Sequence, residues 1–137
     1  MKLVDGIPTL TCRPIRVYVA CPYSINGKTS MDIRQHNFEI VTKLTAKLLN
    51  MNLVVFSPIT HSHPIQTIGK LTSNDLDFWM AEDLPFVEFC DIVLVVTLPG
   101  WQESNGVQSE ISFAKTLDKK IYYATFDDEE LKIYEED

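Results

Sequence analysis

The stretch GWQESNGVQSE, residues 100–110, combines a tryptophan, a serine, an Asn-Gly pair and a glutamate. It follows the apolar run DIVLVV and precedes ISFAKTLDKK, which has helical spacing, so it reads as a strand-to-helix connection. Glu110, in the first turns of that helix, has two readings. It is a solvated acid favoured by the helix dipole, or a carboxylate placed for chemistry. Ser104 by itself reads as the helix N-cap. Trp101 stands in the loop before the Asn-Gly pair and Trp79 on a helical pattern; each could border a flat ligand or fill core space.

Two other groupings suggest chemistry and carry less. INGKTS ends like a phosphate-cradling loop, but GxxxxGK[ST] needs a glycine at position 22, where the chain has Pro22. The segment reads instead as a polar loop with a lysine at its tip. His61 and His63, in HSH, share a face if the backbone is extended. Catalytic zinc wants three protein ligands, and only Asp75 and Asp77 offer themselves further along. A histidine in a pocket wall is the simpler reading, and no metal is expected.

The elements that must position these residues are legible as apolar runs. Four short stretches rich in Val and Ile read as strands buried on both faces: Ile15 to Cys21, Leu53 to Ser57, Asp91 to Thr97 and Lys120 to Thr125. Helical patterns lie between them, over Asp32 to Asn50, about Asp75 to Phe89 with a break or kink near Pro85, and about Asn105 to Leu117 with Val107, Ile111, Phe113 and Ala114 inward. Strands alternating with helices predict an α/β domain around a parallel sheet of four to five strands. The stretch from Pro58 to Asn74 reads as one long irregular loop, functional or mobile. In such a sheet ligands bind beyond the carboxyl ends of the strands, where strand order reverses. The segments CPYS, SPITHSH and TLPGWQESNG then converge on one place.

Composition bounds the rest. A chain of 137 residues with 45% apolar content supports one domain with one core, here about residues 15–125. The acidic stretch 127–137 reads as a solvated last helix or a frayed end. Cys12, Cys21 and Cys90 have no CxxC spacing, so reduced thiols are expected. A net charge of −7 opposes binding to nucleic-acid polymers or anionic membranes. No run is long enough to span a membrane and the N-terminus lacks a signal-peptide core, so a cytoplasmic location is expected. A small anion remains compatible with that charge, because a helix N-terminus supplies local positive potential.

Three spacings, taken together, point to a family. VYVACPYS places Tyr18 inside the opening strand, Asp83 lies eight residues before Asp91, and Ser104 lies six before Glu110 with Gly106 between them. This set resembles the nucleoside 2-deoxyribosyltransferase superfamily, which includes the deoxynucleoside 5′-monophosphate N-glycosidases, over about Ile15 to Thr125. The resemblance implies a flavodoxin-like three-layer sandwich and an enzyme needing no cofactor. It implies Glu110 as the nucleophile at the anomeric carbon, Asp83 as the group that serves the departing base or holds the sugar, and Tyr18 as the residue that orients Glu110. An acid six residues before the glutamate goes with free nucleosides in this family, and a serine with nucleotides. Ser104, with the backbone of Asn105 and Gly106, thus implies a 5′-phosphate site, which Tyr23 and Ser24 could complete.

The match has departures. CPYSINGKTS replaces the shorter glycine-rich turn of the nucleotide hydrolases, so Pro22 alters the first loop. SPITHSHP and LPGW are similar to an uncharacterised bacterial and phage branch, whose base pocket His61, Trp79 and Trp101 would wall. Hydrolysis of a 2′-deoxynucleoside 5′-monophosphate is the leading expectation. Base exchange through the same intermediate, a nucleotide-binding sensor without turnover, and cleavage of the nicotinamide–ribose bond of NAD are the alternatives. The expected partners are a small nucleotide or nucleoside and further copies of the chain, since relatives complete their sites across a dimer interface.

Overall fold

The computed structural model describes residues 1–24, 31–72 and 75–136. Six strands and four helices follow one another along the chain: β1 (Lys2–Val4), β2 (Arg16–Ala20), α1 (Met31–Leu49), β3 (Val54–Phe56), α2 (Pro58–Thr67), α3 (Leu76–Phe89), β4 (Ile92–Val96), α4 (Asn105–Thr116), β5 (Lys120–Asp127) and β6 (Glu130–Glu135). They form one α/β domain around a single mixed sheet in the order β1-β6-β5-β4-β2-β3. The β3-β2-β4-β5 part is parallel, as the unalternating Val and Ile runs require.

Alternate residues of the central strands divide the core in two. Val17, Val19, Ile92, Leu94 and Val96 pack with Val41, Leu44 and Leu48 of α1 and Ile59 of α2. Tyr18, Ala20, Val93 and Val95 pack with Val87 of α3 and with Val107, Ile111 and Ala114 of α4. The two pairs of helices therefore cover opposite faces of the sheet, because successive side chains of a strand point to opposite faces. Chain order reverses between β2 and β4, so their carboxyl ends open a crevice.

Three expectations need correcting. The stretch after residue 127 is neither a helix nor a frayed end: β6 pairs antiparallel with β5 and with β1, and Ile133 is buried. The sheet accordingly has six strands, not four to five. Residues 58–67, expected as a loop, form α2, which begins at Pro58, where proline is tolerated because the N–H would be unpaired anyway. Of the break or kink expected near Pro85, the break does not occur: Pro85 lies inside α3, which runs on to Phe89. Residues 25–30, the whole of the INGKTS segment, lie outside the described residues.

Candidate functional site

Beyond the carboxyl ends of β2, β3 and β4 lies a cavity of about 290 Å³. Its walls come from both helical layers. Tyr23, Ser24 and Arg34 approach from the β2 end and α1, Ile59, Ser62 and Gln66 from α2. Trp79, Met80 and Asp83 come from α3, and Ser104, Asn105, Gly106 and Glu110 from α4.

Glu110 sits at the floor. Val107, Glu110, Ile111 and Ala114 are the buried residues of α4, the spacing of one helix face, so the glutamate occupies a place in the inward apolar stripe. Only 5% of it is exposed, which removes the solvated-acid reading. Tyr18 projects from β2 toward the same face and its hydroxyl donates to Glu110 Oε2. Tyr18 is fully buried and supports the glutamate from beneath without lining the cavity. Burial pushes the Glu110 carboxyl up to about 8, the Tyr18 hydrogen bond opposes this, and Asp83 adds to it. The same burial, with the Glu110 charge beside it, drives the Tyr18 phenol well above its ordinary value.

Asp83 stands one turn before Val87 on the inward side of α3 and is 6% exposed. Its Oδ1 is buried and, among the described residues, has no hydrogen-bond partner. Such an oxygen costs stability in the empty protein, so it marks where a ligand group would be held. Burial, and next the charge of Glu82, push this carboxyl up to about 7. Two carboxyl groups that both titrate near neutrality against one cavity can hold one proton between them. One can then ionise and attack while the other donates.

At the rim, Ser104 caps α4: its hydroxyl accepts from Val107 N at 3.2 Å. The hydroxyl keeps its own hydrogen to donate, and Asn105 and Gly106 of the first turn line the cavity, so capping and anion binding are compatible. A Cβ on Gly106 would lie 3.9 Å from Ser104 Oγ and from Met80 Cε, an ordinary contact. Glycine here leaves the helix end uncovered; it is not demanded by crowding.

Two expected residues do not reach the cavity. Gly100, at φ 89°, turns the chain so that Trp101 packs on Tyr123, ring centroids 5.5 Å apart. His61 faces outward toward Glu82 at 3.8 Å. Trp79, of the two tryptophans, is the one that lines the wall. The buried histidine is His63: its Nδ1 accepts from the Tyr23 hydroxyl, and its Nε2 donates to Gln35 Oε1 at 3.0 Å. Gln35 offers only an acceptor there, which fixes the tautomer. Burial and the Arg34 charge lower the His63 pKa, in keeping with a neutral ring.

Sequence reasoning missed Arg34, Ser62, Gln66 and Asn37. Asn37 is buried and its Nδ2 donates to Pro22 O at 3.0 Å, holding the first loop over β2. Ser62 and Gln66, with Ile59, follow the spacing of one helix face, a signal hidden by reading the segment as a loop. All three cysteines are free, and burial pushes the Cys21 thiol up, so its thiolate is disfavoured. Among the described residues no three His, Cys, Asp or Glu side chains gather to hold a metal, and no helix is long and apolar enough to cross a membrane.

Fold and site together define an α/β domain with a carboxylate-floored cavity at the point where strand order reverses. The chain belongs to the family described as a domain of unknown function, DUF1937, whose model matches residues 15–125. No curated protein matches it.

Proposed function

We propose that this chain is a member of the nucleoside 2-deoxyribosyltransferase superfamily that hydrolyses the N-glycosidic bond of a 2′-deoxynucleoside 5′-monophosphate. The observation that carries the reading is the pairing at the cavity floor: Glu110, held by Tyr18, with buried Asp83, whose Oδ1 has no partner among the described residues, lining the same cavity. The parallel strands, in the order second-first-third-fourth, also follow the flavodoxin-like arrangement that the resemblance implies.

The chemistry balances with these residues alone. A Glu110 oxygen attacks the anomeric carbon, forming a C–O bond as the C–N bond breaks and its electron pair leaves on the base. As substrate binds, the proton that the pair shares passes from Glu110, the stronger holder in the free protein, to Asp83, which supplies it to the departing base. Water then attacks the same carbon, gives its proton to Asp83, and frees Glu110 with release of the 5-phosphosugar. The 5′-phosphate rests on Ser104 and the backbone N–H groups of Asn105 and Gly106, where an acid would repel it.

Incubation with the four common deoxynucleoside 5′-monophosphates and their nucleosides, with free base followed by chromatography, tests the reading. Release from monophosphates alone, lost in Glu110→Ala, is expected. Release from nucleosides that rises when a second base is added would replace hydrolysis with base transfer. No release from any of them would remove hydrolysis of the common deoxynucleotides and leave a modified-base substrate or the nucleotide-binding sensor.

A further inference from the structure

Arg34 is the one cation among the described residues lining the cavity, which the carboxyl-bearing Asp83, Glu103 and Glu110 also line. It lies in the first turns of α1, with its Cζ 5.0 Å from the centre of the Tyr23 ring. That ring is itself braced, because the Tyr23 hydroxyl donates to buried His63, which stacks on Phe38 with centroids 4.3 Å apart. The guanidinium is thus laid on a fixed aromatic platform. Its Nε is buried and, among the described residues, finds no acceptor. A buried donor of a permanently charged group left without a partner is costly, and a planar fork of donors calls for a planar pair of acceptors.

Its place in the cavity says which part of a ligand would supply them. Arg34 and Gln66 belong to α1 and α2, which cover one face of the sheet; Ser104 to Gly106 begin α4, on the other. Base and 5′-phosphate leave opposite ends of a deoxyribose. With the anomeric carbon at Glu110 and the phosphate at the start of α4, the base lies toward Arg34 and Gln66. We propose that Arg34, with Gln66 of the same helical layer, reads the base and selects a 6-oxopurine. Arginine donates to O6 and N7 together, as in readout of guanine, whereas adenine presents its amino group where O6 would be and meets donor with donor. Gln66, one helical turn from Ser62 in the same wall, brings both a donor and an acceptor to a neighbouring edge.

The proposal rests on the glycosidase reading for the direction in which the ligand lies, so its test is binding, separated from turnover. Equilibrium binding of dGMP, dIMP and dAMP, and of free 2′-deoxyguanosine, is measured on the full chain carrying Glu110→Gln. Arg34→Gln and Arg34→Lys are then added in that background, with thermal melts to verify folding. The two 6-oxopurine nucleotides are expected to bind on the order of tenfold more tightly than dAMP. Arg34→Gln should bring all three within about twofold, and Arg34→Lys, which keeps the charge and loses the fork, should lose most of the preference. A ratio unchanged by Arg34→Gln overturns the proposal. Equal weakening of all three nucleotides with deoxyguanosine unaffected also overturns it, by making Arg34 a phosphate ligand. Wild-type protein that binds dGMP selectively yet releases no base would sink the glycosidase reading alone. No binding of any of these ligands would sink both.

Discussion

Glu110 is a charged residue type in an apolar stripe, and the protein carries that conflict as a pH-dependent cost. In the folded chain its carboxyl holds a proton up to about 8, chiefly through burial, against an ordinary value of 4.5. Between those two values the folded state binds more protons than the unfolded state, so stability falls as pH rises through the window. Glutamine keeps the shape and can still accept from Tyr18 but has no proton to lose. Glu110→Gln is therefore expected to melt close to wild type near pH 4.5, progressively higher as pH rises to about 8, and by a constant margin above that. Each tenfold difference in proton affinity is worth about 1.4 kcal/mol, so a gain of at least roughly 3 °C is expected at pH 8.5. Thermal melts of both proteins across pH check this, and a gap that fails to widen would show the carboxyl to be solvated. The same position shows what could be read in advance. The spacing of Glu110 with Val107 and Ala114 places it on the inward face, but an acid at a helix start is also the commonest surface residue, and burial alone separates the two.

Among the elements, β2 to β5 and three of the helices were legible because burial on both faces writes itself as unbroken Val and Ile, and helical packing as a three-to-four repeat. The elements that escaped are those whose local signal is weak or contradictory. β1 is three residues long, and α2 opens with Pro58 and contains Pro64. The β5–β6 hairpin is the clearest case. Asp127 pairs with Glu130 across a two-residue turn in which Asp128 and Glu129 both have positive φ, 49° and 62°. Turns of that kind ordinarily use Asn-Gly or Asp-Gly, so an acidic pair hides the hairpin, and the alternation of Leu131 and Ile133 with Lys132 passes for a charged tail. The turn is supported from α1, where Lys47 Nζ donates to Glu129 O at 2.9 Å. Left-handed backbone costs a side-chain-bearing residue about 1–2 kcal/mol. Replacing Asp128-Glu129 with Asn-Gly should relieve part of this, raising stability by about 1 kcal/mol in urea melts without altering ligand binding. A loss of stability would show that the acidic side chains themselves hold the turn.

For the molecule as a whole, the cavity takes its walls from both helical layers, so a ligand there ties together elements on opposite faces of the sheet. Arg34 escaped the sequence reading for this reason: it belongs to the site by topology, on the far side of residues 25–30, and not by any motif. The surface is acidic, with a net charge of −7, yet on the proposed reading a phosphate dianion would meet the N-terminus of α4 in a cavity that Arg34 also lines. These local groups must outweigh the repulsion of the surface, which salt screens beyond roughly 8–10 Å while leaving the buried contacts largely intact. Anything that binds the folded chain alone stabilises it by mass action, by about 2.7 kcal/mol at a concentration 100 times Kd. In the turnover-silent Glu110→Gln protein, saturating dGMP should therefore raise the melting temperature by roughly 5 °C or more. Deoxyguanosine at the same concentration should raise it less, because it leaves the start of α4 empty. Ser104→Asp should erase that difference by placing a carboxylate where the phosphate would sit, while still capping the helix. Equal shifts for nucleotide and nucleoside in the Glu110→Gln protein would mean that the α4 terminus holds no phosphate, and would return the site to a nucleoside-binding role.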